Sequence, residues 1–394
     1  MEDEEIMIDI KAIITDNRED GLSSPLRCIY RVPPMIRLLK EKAYTPQVVS
    51  IGPFHYGDVR LQDMQDHKKI VFRRFVERSA TMIDLNTLVN FAKQSEPNVR
   101  ASYSESIKLS KKDLVKLMLV DAASIIELFM MMREGDDETN KDAKLSQTWL
   151  KEAISIDLLL LENQLPYFFL ELLFNIALPL HLRVGCPSFL ELTYSYFADH
   201  NIQELQPSPN DGSDFLLHNA KELKEAGLKL KAGKSECLLD LKFSRHVLEI
   251  PEIYVEDYTE TLFRNMIALE RCRYPYESYI IDYVFVFDSL VNTKEDVDVL
   301  TNKKIIHNLL GDADEVATLF NGLGKNITAY NFNVEYLDIC KNLNDFYQNP
   351  WHKRKATLRR DYCNTPWQTV ASIAGIILLA LTIVQTIFSI LQVV

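Results

Sequence analysis

Apolar positions recur at helical spacing through most of this chain, and the breaks in that rhythm set its organisation. From residue 61 onward, DMQDHKKIVFRRFVERSA places Met64, Ile70 or Val71, Phe75 and Arg78 at spacings that sort apolar from basic faces, which predicts a solvated helix. KDLVKLMLVDAASIIELFMMM predicts a second, strongly apolar helix, followed by an acidic loop in EGDDETNKDAK. Further helical signal surrounds FLELTYSYF, and PSPNDGS reads as a loop. The style then changes. AGLKLKAG, CLLDLKF and VLEIPEIYV are short, alternating or β-branched, and predict a small antiparallel sheet. Helical patterns resume at TETLFRNMIALERC, YIIDYVFVFDSLV, KEDVDVLTNKKIIHNLL and DADEVATLFNGLG. The fold class this predicts is mainly α: a large helical globular body with a small antiparallel β insert, plus one C-terminal transmembrane helix.

Two apolar runs are long enough to compare with a membrane span. SIDLLLLENQLPYFFLELLFNIALPLHL contains Asp157, Glu162, Asn163, Gln164 and Glu171, and ionisable groups are costly at membrane depth. Pro166 and Pro179 interrupt its backbone ladder, so it predicts two buried helices meeting at a sharp bend, the second started by Pro166. WQTVASIAGIILLALTIVQTIFSILQVV, from Trp367 to the last residue, has neither a charge nor a proline. About 25 residues of helix reach roughly 37 Å, against a hydrocarbon core of ~30 Å. This run predicts a spanning tail anchor. Lys353, Arg354, Lys355, Arg359 and Arg360 lie just before it, where basic residues hold a flank on the cytoplasmic side and attract anionic lipid. Tyr362 and Trp367 occupy positions suited to interfacial aromatics.

The resulting division is an acidic, loose N-terminal arm over 1–25, a mainly helical globular domain over 26–350, a basic juxtamembrane segment over 351–366 and a transmembrane anchor over 367–394. A formal net charge of −12 argues against a broad nucleic-acid surface, which needs clustered cations. Cys28, Cys186, Cys237, Cys272, Cys340 and Cys363 are scattered without metal-binding or redox spacing, so reduced thiols are expected. The first residues show no basic and apolar pair of regions of the secretory type, which favours a cytosolic body.

Several stretches, taken in order, carry a family resemblance: IYRVPPMIRLL, AYTPQVVSIGPFHYGD, DMQDHKK and DLLLLENQLPYFFLELL, then ELKEAGLKLK and VLEIPEIYVEDYTETLFRNMIALE. VNTKEDVDVL, GDADEVATLFN and KATLRRDYCNTPW follow, so the similarity runs from about Arg27 to the end. The chain resembles the plant family termed domain of unknown function 247. The resemblance implies a single-pass, membrane-associated protein without an established enzymatic activity. It also implies kinship with relatives implicated in pollen and stigma recognition in grass self-incompatibility. Where that family often has paired histidines, His55 is followed here by Tyr56, so a role needing two imidazoles does not carry over.

Candidate chemistry is sparse. The motif residues Gly52, Pro53, His55, Gly57, Glu162, Asn163, Gln164 and Pro166 read as structural: a lone histidine in a glycine-bounded turn lacks catalytic partners, and Glu162 with Gln164 suits a hydrogen-bond network at a bend. No nucleophile elbow, phosphate loop, dinucleotide turn or zinc-helix motif occurs, and GLGKN at 322–326 reads as a glycine-capped helix end. Asn326 begins a formal glycosylation sequon. No cofactor, metal, nucleic acid or small-molecule substrate is expected. The expected partners are a lipid bilayer, through the C-terminal helix, and an unidentified protein. The functional expectation is a non-enzymatic, membrane-tethered interaction or recognition protein, its body facing the cytoplasm at the plasma membrane. The alternatives are an outward-facing self-recognition module and an unrecognised enzyme assembled around His55 and Glu162.

Overall fold

A computed structural model of the chain describes residues 27–79, 83–134, 142–178, 188–197, 218–235, 237–274, 278–327, 332–352, 354, 357 and 366–393. The expected N-terminal arm, most of the acidic loop after residue 134 and PSPNDGS lie outside these residues. In chain order the first helices are α1 (Pro34–Arg37), α2 (Gln62–Ser79), α3 (Leu85–Ala101), α4 (Lys111–Glu134), α5 (Thr148–Leu158), α6 (Tyr167–Ala177), α7 (Phe189–Tyr196) and α8 (Ala220–Glu225). Strands β1 (Lys229–Gly233), β2 (Lys242–Ser244), β3 (Val247–Pro251) and β4 (Ile253–Val255) follow. Then come α9 (Thr259–Arg273), α10 (Ile280–Leu290), α11 (Lys294–Thr301), β5 (Ile306–Asn308), α12 (Ala313–Leu323), α13 (Val334–Gln348) and α14 (Pro366–Val393). The protein is mostly helical with a small amount of sheet, and one apolar helix ends it.

The chain divides into two compact units. The first joins Met1–Asn201 to Tyr258–Pro275, so α9 belongs with the helices that precede the strands. At its centre lies α4, which packs against α2, α3, α6 and α7 and is buried on nearly every side, from Leu114 and Met118 to Ile126 and Phe129. Only its two ends and Lys116 are exposed, so most of the helix is buried, and burying each large side chain contributes about 1.5–3 kcal/mol. Phe129 stacks on Tyr196 of α7 at 4.2 Å, and Phe91 of α3 on Phe169 of α6 at 5.4 Å. Helical periodicity passes over α3 because Pro97 lies inside it and its apolar positions are thinly spaced. Its start is nonetheless well capped: the Asp84 carboxylate accepts the Thr87 N–H at 2.7 Å.

The second unit joins Ile202–Asp257 to Tyr276–Val394. Its sheet is mixed, which corrects the expectation of an antiparallel insert. Strand β3 is central, paired antiparallel with β2 and parallel with β1, while β4 and β5 form a separate parallel pair. Two features cause this. Strand β1 lies on the opposite side of β3 from β2 and runs the same way as β3, and β2 turns into β3 through Arg245 and His246 at φ of 48° and 64°, the two-residue geometry of a tight hairpin. A second correction concerns KEDVDVLTNKKIIHNLL, expected to be one helix. Helix α11 stops at Thr301, Lys304 takes φ of 59°, and Ile306 begins a strand against Ile253. The β-branched pair Ile305–Ile306 gains more by burial beside β4 than by extending a helix. Phe287 of α10 meets Phe320 of α12 at 5.2 Å, and the Tyr336 hydroxyl of α13 donates to the Leu239 carbonyl.

Candidate functional site

Within the first unit, the turn GPFHYG and the bend LENQLP are brought together, and the contact is made almost wholly by side chains satisfying backbone. Residues 47–52 carry no helix or strand, yet the N–H groups of Gln47, Val48, Val49, Ile51 and Gly52 are taken. The Asp157 carboxylate at the end of α5 accepts from Gln47, from Val48 at 2.7 Å and from Val49 at 2.8 Å. Asn163 Oδ1 accepts from Ile51 at 2.6 Å, and Asp121 of α4 accepts from Gly52 at 2.9 Å. Asn163 also donates to the carbonyls of Val49 and Asp157. Three polar side chains thus stand in for the strand that an extended, buried segment would otherwise need.

The same bend binds the segment before α1. Glu162 Oε1 accepts the Val32 N–H at 2.8 Å, while Oε2 meets Arg31 Nη1 at 2.9 Å and Arg37 Nη2 at 2.6 Å. Its side chain is wholly inaccessible, whereas Arg31 remains 39% exposed. Arg31 also lies over the Phe54 ring at 4.1 Å. On the other flank, Asn265 of α9 accepts the Leu161 N–H and donates to the Ala43 carbonyl. Below the turn, Lys68 of α2 forms a buried ion pair with Asp121 and donates to the Ser50 carbonyl at 2.6 Å.

Each motif residue finds a place here. At Gly52, φ is +71° and an added Cβ would lie 2.3 Å from the Gln164 carbonyl oxygen, so only glycine fits. Gly57 has φ of +89° with open space around it, so its demand is conformational. Pro53 follows Gly52 at the bend and is half-buried. Gln164 donates to the carbonyls of Leu158 and Leu160, closing the bend on itself. Pro166 is the N-cap of α6, one position earlier than expected, and its carbonyl accepts the Phe169 N–H.

His55 reaches the node without joining it by a hydrogen bond: Nε2 lies 3.6 Å from Glu162 Oε2 and has no partner. Burial pushes the imidazole below its usual range, Glu162 opposes this and the two arginines reinforce it, so the ring is neutral near pH 7. Burial also pushes the Asp157 carboxyl up to about 6 against the pull of its N–H donors, and raises Asp121 against the pull of Lys68. Beside Arg31, the Cys272 thiol is pushed up to about 11 by burial and stays protonated. Chemically this is a carboxylate committed to two guanidiniums, a neutral histidine and an inert thiol. Among the described residues, no group of three or more His, Cys, Asp or Glu side chains could hold a metal ion.

A protein-family profile described as a plant protein of unknown function, DUF247, matches residues 29–183 and 180–381. The chain belongs to this family. A UPF0481 protein of Arabidopsis thaliana is 29% identical over 414 residues, covering 93% of this chain and 86% of that relative. A second Arabidopsis protein with the UPF0481 designation is 20% identical over 496 residues, covering 95% of this chain and 92% of its own length. No solved structure matches the chain significantly. The DUF247 match spans the GPFHYG and LENQLP segments and runs into the C-terminal helix.

In this DUF247 chain the membrane-type residues are placed only in part. Trp367 is 83% exposed near the start of α14, and Arg354 is exposed with its guanidinium 5.8 Å from the Trp351 ring. Lys353, Lys355, Arg359, Arg360 and Tyr362 lie outside the described residues, as does Thr328 of the sequon. Sequence reasoning gave no site role to Asp121, Asp157, Lys68 or Asn265. The available signal was an acid set inside an apolar helical run, as in LMLVDAAS and SIDLLLL, because a lone buried carboxylate needs donors.

Proposed function

We propose that this protein is a non-enzymatic interaction module of plants, tethered to a bilayer by α14. One observation carries the reading. The window Val370–Ile387 has a mean hydropathy of 2.3, and none of it is buried. Ile376, Ile377, Leu378 and Leu379 are consecutive and each more than half exposed, so the apolar surface covers the whole circumference and not one docking stripe. Side chains that are apolar on every side suit a hydrocarbon solvent. The polar residues within the helix fit the same environment: Thr382 and Thr386 donate their hydroxyls to carbonyls one turn back, at 2.7 Å each.

The body supports a binding role over a catalytic one. The carboxylates of the motif region are spent on backbone N–H groups and arginines, and the neighbouring histidine is neutral and lacks a hydrogen-bonded partner. Tethering raises the effective concentration of such a body toward partners on the same membrane. The basic run before α14 favours a cytoplasmic body, and the helix length is compatible with the plasma membrane.

The test is protease protection on intact microsomes carrying the protein with tags at both ends, together with alkaline carbonate extraction. The expected result is retention in the carbonate pellet, digestion of the N-terminal tag from the cytosolic side and an unmodified Asn326. Extraction without detergent would refute the tether. A protected N-terminal tag with glycan on Asn326 would instead assign the body to the outer face and make extracellular recognition the function.

A further inference from the structure

Where α2, α3 and α4 diverge, the first unit leaves a groove of about 700 Å³, within the ~300–1,000 Å³ typical of small-molecule sites. Its floor is Phe72 of α2, Val89 of α3, and Val115, Leu119 and Val120 of α4, with exposed Leu85 at its edge. The rim is of a different nature: Lys69, Lys93, Lys111, Lys112 and Lys116 surround the apolar floor, and no acidic residue lines it. Lys69 pairs with Asp66 at 2.6 Å. Lys93, Lys111, Lys112 and Lys116 meet no carboxylate among the described residues.

That combination is unusual on energetic grounds. Lys112 and Lys116 are one helical turn apart on the same helix, a spacing at which like charges repel, and Lys93 approaches the same groove from α3. In a protein of net charge −12, an all-cationic border around exposed apolar surface leaves an excess of positive potential there. A ligand that relieves both features at once carries a negative head group and an aliphatic tail.

We propose that this groove binds a single-chain anionic amphiphile of the fatty-acid type. The tail lies on Phe72, Val89, Val115 and Leu119, and the carboxylate is held among Lys93, Lys112 and Lys116. The lysines neutralise the head group, and each further methylene buried on the floor tightens binding by about fourfold until the groove is filled. This inference is independent of the tether: the groove belongs to the helical body, and its occupancy requires nothing of α14.

The test uses the full chain in lipid nanodiscs and a diazirine-bearing palmitic acid as the probe, with labelled peptides mapped by mass spectrometry. Labelling is expected on peptides carrying Val89, Val115 or Leu119, displaced about tenfold more effectively by palmitate than by its uncharged methyl ester. The double substitution K112E/K116E lies on exposed positions and is expected to lower groove labelling about tenfold, with unchanged thermal unfolding and unchanged labelling of α14 as the internal control. Labelling confined to 366–393, or equal displacement by acid and ester, would overturn the proposal. So would groove labelling that appears only after removal of residues 1–26, because the groove would then belong to the acidic, isoleucine-bearing N-terminal segment.

Discussion

The run 157–178 and the helix α14 have similar apolar content and opposite fates. In the first, Phe169, Leu173 and Phe174 are fully buried, and the chain bends between α5 and α6 so that Asp157, Glu162 and Asn163 can reach backbone donors. In the second, 28 residues form one helix whose central side chains face outward on every side. Hydropathy alone does not separate these outcomes. What does is the presence of acids and a mid-run proline that require a protein environment, against a helix long enough to cross a bilayer with no charge and a proline only at its first position.

The comparison can be broken most sharply by giving α14 the chemistry of the first run. The pair Ile377→Asp and Leu381→Asp places two carboxylates near mid-helix at about 2.5–3.5 kcal/mol each, and is expected to move most of the protein from the carbonate pellet to the supernatant. Retention in the pellet would count against the membrane reading. The converse change removes the polar anchor of the first run. Glu162→Ala leaves Arg37 without its carboxylate, Arg31 with only the exposed Glu105, and the Val32 N–H without an acceptor, and should lower unfolding free energy by about 2–3 kcal/mol in a urea titration. Glu162→Gln keeps an acceptor and is expected to lose less.

A third effect appears as a pH dependence. Asp157 holds its proton up to about 6 in the fold, whereas an unfolded aspartate releases it near 3.8. A raised pKa favours the folded state below the unfolded value, and that contribution is lost as pH rises through 6. The stability margin of the wild type over Asp157→Asn should therefore shrink by about 3 kcal/mol between pH 3.5 and 7, as read from denaturation midpoints. A constant margin would mean that the backbone donors hold the carboxyl at its ordinary value. The smallest effect belongs to Glu171, half-buried on α6, whose carboxylate accepts the Tyr167 hydroxyl at 3.2 Å. Glu171→Gln should change stability by less than about 0.5 kcal/mol, which would place the polar requirement of the first run in the bend and not in α6.

Much of the helical body was legible because its packing writes a local period into the sequence. Helices α2, α4, α6 and α12 follow from apolar spacing, and the bend before α6 follows from Pro166 among polar neighbours. The misses share a cause. Helix α3 carries an internal proline and a thin apolar stripe, and the strand β5 looked like a helical continuation until β4 supplied its partner. The parallel pairing of β1 with β3 depends on β1 taking the edge of β3 opposite β2, a choice that leaves no trace in either strand's own residues. At the candidate site, Glu162, Asn163 and Gln164 could be read as a polar network at a bend, but not what they bond to.

By itself the sequence determined that the body is helical, that an acid-bearing apolar run differs from an uncharged one, and that the last helix is apolar on all sides. These properties are periodic or compositional, so neighbouring residues suffice to express them. Only the tertiary structure decided that Asp157, Asn163 and Asp121 replace a strand for residues 47–52, across separations of 110, 112 and 69 positions. It alone placed around one apolar groove four lysines that meet no carboxylate among the described residues. The physical reason is common to both: a buried N–H donates to any well-placed oxygen, and a cation pairs with any anion, so the choice of partner is made by packing geometry and not by local sequence.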